Sequence, residues 1–354
     1  MKGTQKLRYI KIDTLYYISL NMKFDFKDIV LVPEVLSSIS SRSEIDITDE
    51  FGKLPLIVSP MDTVINEGNS ELFEKLGFTV CLPRGENVTE NQFRSISLDD
   101  FEILTDYLVV TNDYLLVDIA NGHMEKLYSL CEKFLEKNNG DKLMIGNIAN
   151  PKTYKKFAEI GVGFIRVGIG GGSGCLTSAN TGVHYPMASL INECYQFKKD
   201  NGYTTKIVAD GGFRNYDDII KAIALGADYV MLGGMLNKSL ESCSPVKLFG
   251  KLKISTKFAN KLWANYPKLR KFFYKDFRGM STKEVQKKWG RKNIKTSEGV
   301  HRVNKVEYKL DTWVDNFKDY LKSAMSYTNS KNLNSFRYSE FVKITENAYK
   351  RFNK

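Results

Sequence analysis

The chain has 354 residues, 42% of them hydrophobic and 26% charged, and 52 Lys and Arg against 41 Asp and Glu give a net charge of +11. That length accommodates one large α/β barrel or two ordinary domains of a soluble protein. No apolar run approaches the ~20 residues that span a bilayer, so no membrane partner is expected.

Five cysteines (Cys81, Cys131, Cys175, Cys194, Cys243) lie without paired spacing. They argue against a disulfide framework or zinc knuckle and for a reducing, cytoplasmic compartment. Three scattered histidines suggest no metal centre. Much of the positive excess falls in 247–295, where it could steer small phosphorylated ligands. No recognised nucleic-acid motif accompanies it, so no nucleic-acid partner is expected.

In chain order, residues 1–22 are basic with a short mixed apolar stretch and no small-residue cleavage site, and they read as an N-terminal extension. Buried strands are predicted near 54–58, 78–82, 94–97, 114–118, 142–146, 164–167, 206–209 and 229–232. Helices are predicted at 68–76, 99–109, 123–137, 151–160, 187–200 and 215–225, the last capped by Asn215 and stopped by Gly226. Eight such units predict a parallel (β/α)8 TIM barrel, a single domain over 23–354, rather than an open sheet. Residues 245–275, rich in Lys, Phe and Trp, form an insertion that reads as a solvated excursion ahead of a partner or oligomer contact.

In such a barrel, function sits where strands end. Those ends carry SPMDT (59–63), DIANG (118–122), GN (146–147), a glycine–cysteine loop, DGG (210–212) and GG (233–234). Backbone amides of the last three loops could cradle a phosphate. The glycine–cysteine loop, within RVGIGGGSGCLT (166–177), is the most informative. Bare amides around Cys175 can lower a thiol pKa and admit a planar substrate, which suits a nucleophile. A flexible loop with an incidental small buried cysteine is the other reading.

These residues resemble the IMP dehydrogenase/GMP reductase family over roughly 23–336. FDFKDIVLVP, SSRSEIDIT, SPMDTV, VGIGGGSGCLT, TGVHYP, ADGG, MLGGML and RGMS occur in that family's order. The resemblance implies a barrel enzyme, commonly a homotetramer, that acts on a purine ribonucleotide (GMP or IMP) with a nicotinamide cofactor. Cys175 would attack C2 of the purine, Thr177 would relay protons there, and Glu298 would contact the base and help ammonia leave. Ser173, Gly212, Gly233 and Gly234 would hold the phosphate and Asp210 the ribose. Met61 and Met280 would flank the base, and Ser59, Gly211, Gly279, Ser297 and Gly299 would complete the substrate set. Asp118, Ala120, Asn121, Asn147 and Arg166 would face the cofactor. Carbonyls of Gly170, Gly172 and Cys175 would bind a monovalent cation, K+.

Within the family the chain looks closer to GMP reductase, with NADPH as cofactor. Only Pro83 to Gln92 separates strands two and three, so no paired regulatory (CBS) module fits. The flap, 281–300, lacks the Arg–Tyr pair with which dehydrogenases activate water. The alternatives are an IMP dehydrogenase without its regulatory module and a catalytically silent nucleotide-binding homologue. The chain departs from the reductase pattern at Pro83, where reductases carry lysine, at Leu176, Ser178 and His184, and at Arg166, which looks more like the dehydrogenase. Arg84, beside Pro83, could stabilise charge but would not act as a general acid.

Overall fold

The computed structural model describes residues 22–288, 296 and 298–352. Strand β1 (Ile29–Leu31) is the first strand among the described residues and pairs antiparallel with the late strand β14 (Phe341–Lys343). Between them, eight parallel strands close a barrel: β2 (Leu56–Val58), β3 (Thr79–Leu82), β4 (Phe93–Ile96), β5 (Leu115–Asp118), β6 (Leu143–Ile148), β7 (Phe164–Val167), β8 (Lys206–Asp210) and β9 (Tyr229–Leu232). β9 returns to pair with β2. All eight coincide with the apolar runs predicted as strands, and the six predicted helices lie between them.

Alternation along each strand decides what fills the barrel. Ile57, Cys81, Phe93, Leu116, Met144, Phe164, Val208, Tyr229 and Met231 point inward and form one buried cluster. Their neighbours on the other face, such as Leu56, Val58, Val80 and Val117, pack under the surrounding helices. Both faces are covered, which is why these strands read as continuous apolar runs. Helix Tyr216–Ala224 shows the helical half of the pattern, with Ile219, Ile220 and Ile223 buried against the barrel. At its start the Asp218 carboxylate accepts the backbone N–H groups of Arg214 and Asn215, at 2.8 and 3.1 Å.

After β9, four strands form a separate antiparallel sheet in the order β11 (Leu252–Ile254), β10 (Val246–Leu248), β12 (Phe273–Arg278), β13 (His301–Lys305). Segment 245–275 is therefore an ordered unit and not a bare solvated loop. Leu240, Val246, Ala259, Trp263, Phe273 and Val306 give it a small core of its own, closed by helix Thr256–Asn265. β12 and β13 flank the flap, and Arg278 pairs with His301 at its base. Among the described residues, no helix is long and apolar enough to cross a membrane.

Candidate active site

The C-terminal ends of the barrel strands surround a cavity of about 620 Å3. Its wall takes Ser59 and Met61 from the loop after β2, and Asp118, Ala120 and Asn121 from the end of β5. Asn147 and Arg166 enter from β6 and β7. The loop after β7 supplies Gly170, Gly172, Ser173, Cys175 and Thr177, and the late strands supply Asp210, Gly211, Gly212, Gly233 and Gly234. Gly279 and Met280 close it from β12. Ser297 lies outside the described residues. Glu298 and Gly299 are not wall residues but reach the site through Thr177 and Cys175.

Environment separates Cys175 from the other four cysteines. Cys81, Cys131 and Cys194 are fully buried, and burial pushes their thiols up, away from the reactive thiolate. Cys243 is pushed up to about 12 by burial, and its Sγ faces the Asp62 carbonyl at 3.4 Å. Cys175 is half-buried on the cavity wall. Its thiol donates to Thr177 Oγ1 at 3.2 Å, and the Thr177 hydroxyl donates in turn to Glu298 Oε2.

Backbone contacts bring this chain of groups together across 121 residues of sequence. Cys175 bridges antiparallel to Gly299, Leu176 N–H donates to the Glu298 carbonyl at 2.6 Å, and Val300 N–H donates to the Gly174 carbonyl at 3.0 Å. The loop after β7 is thus stitched to the strand that leads into β13. Gly279 makes that approach possible, since a Cβ there would sit 2.3 Å from the Gly174 carbonyl oxygen. A second tie comes from Arg278, which grips both Asp62 carboxylate oxygens at 2.5 and 3.1 Å and so fixes the SPMDT loop to β12.

The opposite wall is held by charge. Arg166 is buried and forks between Asp118 at 2.5 Å and Asp210 at 2.8 Å. Burial works against its guanidinium, and the Asp210 and Asp118 carboxylates more than offset it, holding the group above its ordinary value. Asn147 adds its amide to Asp210 Oδ2 at 2.8 Å and to the Gly168 carbonyl at 2.9 Å. Arg84 donates to the Asp118 backbone carbonyl. Arg166 was expected to face a cofactor; it lies on the wall, but its two arms orient the acids beside it.

Among the wall residues with no signal in the linear sequence are two that come from β12 and the helix after it. Phe277 is buried on β12 against Gly174 and Gly234, and Gln286 lies in the helix Lys283–Lys288 of the flap. Neither occupies a barrel strand end, so only the β12–β13 hairpin brings them to the cavity.

Residues 91–353 match the family described as the IMP dehydrogenase / GMP reductase domain. The chain belongs to that family. GMP reductase 2 of Homo sapiens is 28% identical over 93% of this chain and 97% of its own length. The GMP reductase of Staphylococcus saprophyticus is 29% identical over 92% and 97%, respectively. That of Aliivibrio salmonicida is 31% identical over 64% of this chain and 72% of its own length. In this family member the cavity, the loop thiol and the hydroxyl–carboxylate chain form one site.

Proposed function

We propose that this protein is a GMP reductase-like oxidoreductase that converts GMP to IMP with release of ammonia, using NADPH. The observation that carries the reading is the relay from Cys175 and Thr177 on the cavity wall to the Glu298 carboxylate. A purine carbon bearing an amine needs a nucleophile on one side and a proton for the departing nitrogen. Cys175 Sγ bonds to C2, the C2–N bond breaks, and the thiol proton leaves on ammonia through Thr177 and Glu298. Thr177 orients the thiol, and Glu298 holds the proton that Thr177 passes.

Glycine amides at 211, 212, 233 and 234, with the Ser173 hydroxyl, suit a phosphate. A Cβ at Gly234 would lie 2.5 Å from Ser173 Oγ, so the glycine leaves that hydroxyl room. Met61 and Met280 would flank the base, and Asp210, already oriented by Arg166 and Asn147, would accept the ribose hydroxyls.

Asp118, Ala120 and Asn121 would receive the nicotinamide cofactor. When bound, the cofactor would supply the hydride that takes the place of sulfur at C2, with the C2–S bond breaking and Cys175 leaving as the thiolate, which regains a proton. The Gly170 carbonyl accepts Ser178 Oγ and the Gly172 carbonyl accepts the Cys175 N–H, both at 2.9 Å. Each retains a lone pair, so these oxygens and that of Cys175 fit a monovalent cation.

Absorbance at the nicotinamide band tests the reading. NADPH should be consumed with GMP, and NAD should not be reduced with IMP. The converse pattern identifies a dehydrogenase, and GMP binding without turnover identifies a silent homologue. Sedimentation would test the homotetramer that the family resemblance implies.

A further inference from the structure

The cavity does not account for the basic charge, and that charge collects in one place. Residues 245–275 carry nine Lys and Arg and no Asp or Glu, nine of the chain's eleven net positive charges. Three are engaged internally: Lys275 is fully buried on the carbonyls of Leu240 and Ser242, Lys247 pairs with Asp276 at 2.7 Å, and Arg270 donates to the Trp263 carbonyl at 2.8 Å. Lys251, Lys253, Lys257, Lys261 and Lys268 are exposed, and among the described residues none of them pairs with a carboxylate.

Aromatic rings stand among these lysines. Phe249, Phe258 and Tyr266 are 57%, 49% and 56% exposed, although Trp263 and Phe273 already close the unit's core. Phe249 packs on Phe272 with ring centroids 4.8 Å apart, which joins the β10–β11 turn to the segment after the helix. Phe258 and Tyr266 lie at opposite ends of helix Thr256–Asn265, roughly 12 Å apart along its axis.

We propose that this rim binds single-stranded nucleic acid, with the lysines on phosphates and the rings stacked on unpaired bases. A membrane-inserting surface gathers its apolar side chains on one face. Rings spaced along a helix and separated by lysines instead offer successive stacking positions beside a phosphate track. The sequence expectation of no nucleic-acid partner rested on the absence of a linear motif; the platform exists only once the insertion folds. This inference is independent of the proposed reaction.

Fluorescence anisotropy of a labelled oligouridylate with the full chain, its cavity saturated with GMP, tests it. Affinity should fall with salt, log K against log salt having a slope near −0.7 per phosphate contacted. Replacing Lys257, Lys261 and Lys268 by Gln should weaken binding about 10-fold or more and flatten that slope. Phe258→Ala with Tyr266→Ala should weaken it at least about 5-fold and leave the slope unchanged, because stacking is not ionic. Melting temperature serves as the folding control. No binding at ~50 mM salt overturns the proposal. So does unchanged binding by both variants, or equally tight capture of polyglutamate or phosphatidylserine vesicles.

Discussion

The two walls of the cavity are built differently. On one, Cys175 and Thr177 line the cavity and Thr177 donates to Glu298 beyond it; all three are only half-buried, Cys175 and Glu298 on loops and Thr177 at the start of the short helix Thr177–Thr181, joined by a few backbone hydrogen bonds. On the other, Asp118, Arg166, Asn147 and Asp210 stand at strand ends and lock together through short charge-assisted bonds. Strand-borne groups hold position, while groups on loops and at the start of a short helix can shift, as the proposed reaction would require between expelling an amine and accepting a hydride. Function should therefore be separable from stability across the cavity.

The largest expected effect is at the thiol. Cys175→Ser should lower kcat by roughly 10⁴-fold or more, because covalent chemistry is lost, with little change in melting temperature. Next, Glu298→Gln keeps the shape but removes the proton acceptor. Steady-state kinetics should show kcat lower by about 10²–10⁴-fold, again with stability nearly unchanged. A large loss of stability in either variant would blur the contrast between the walls.

Arg166→Met probes the other wall. It leaves two neighbouring carboxylates without their shared cation, and urea unfolding should show a loss of about 3–5 kcal/mol. If this variant folded as well as the parent but lost only activity, Arg166 would belong with Cys175, Thr177 and Glu298.

The smallest effect concerns pH. Burial pulls the Lys275 ammonium down to about 7 from its ordinary 10.5. The unfolded chain keeps that proton up to about 10.5, so between these values unfolding takes up a proton and stability rises with pH. Between pH 7 and 9, unfolding should become harder by roughly 1 kcal/mol per pH unit, and Lys275→Met should remove that slope.

Much of the barrel was legible because its strands are buried on both faces, so LPLIV, YLLVD and YVML stand out as unbroken apolar runs. The wall residues were legible where they fall at strand ends, as Asp118 and Asp210 do, or in the glycine loop that follows one, as Cys175 does. Contacts that depend on long-range register were not. Phe277 reaches the cavity only because β12 pairs with β13, and Trp263 reads as surface until Val246 and Phe273 close over it. The Asp118–Arg166–Asp210 bridge was missed for a similar reason, since three separate strands must align before one guanidinium can span two acids.

The central claim is that Cys175 becomes bonded to purine C2 as ammonia leaves. Intact and peptide mass spectrometry of protein quenched with GMP in the absence of cofactor tests it directly. The account predicts an added mass equal to GMP less ammonia, confined to the Cys175 peptide and absent from Cys175→Ser. An unmodified Cys175 under conditions where NADPH is being consumed with GMP, or an adduct on another cysteine, would contradict it.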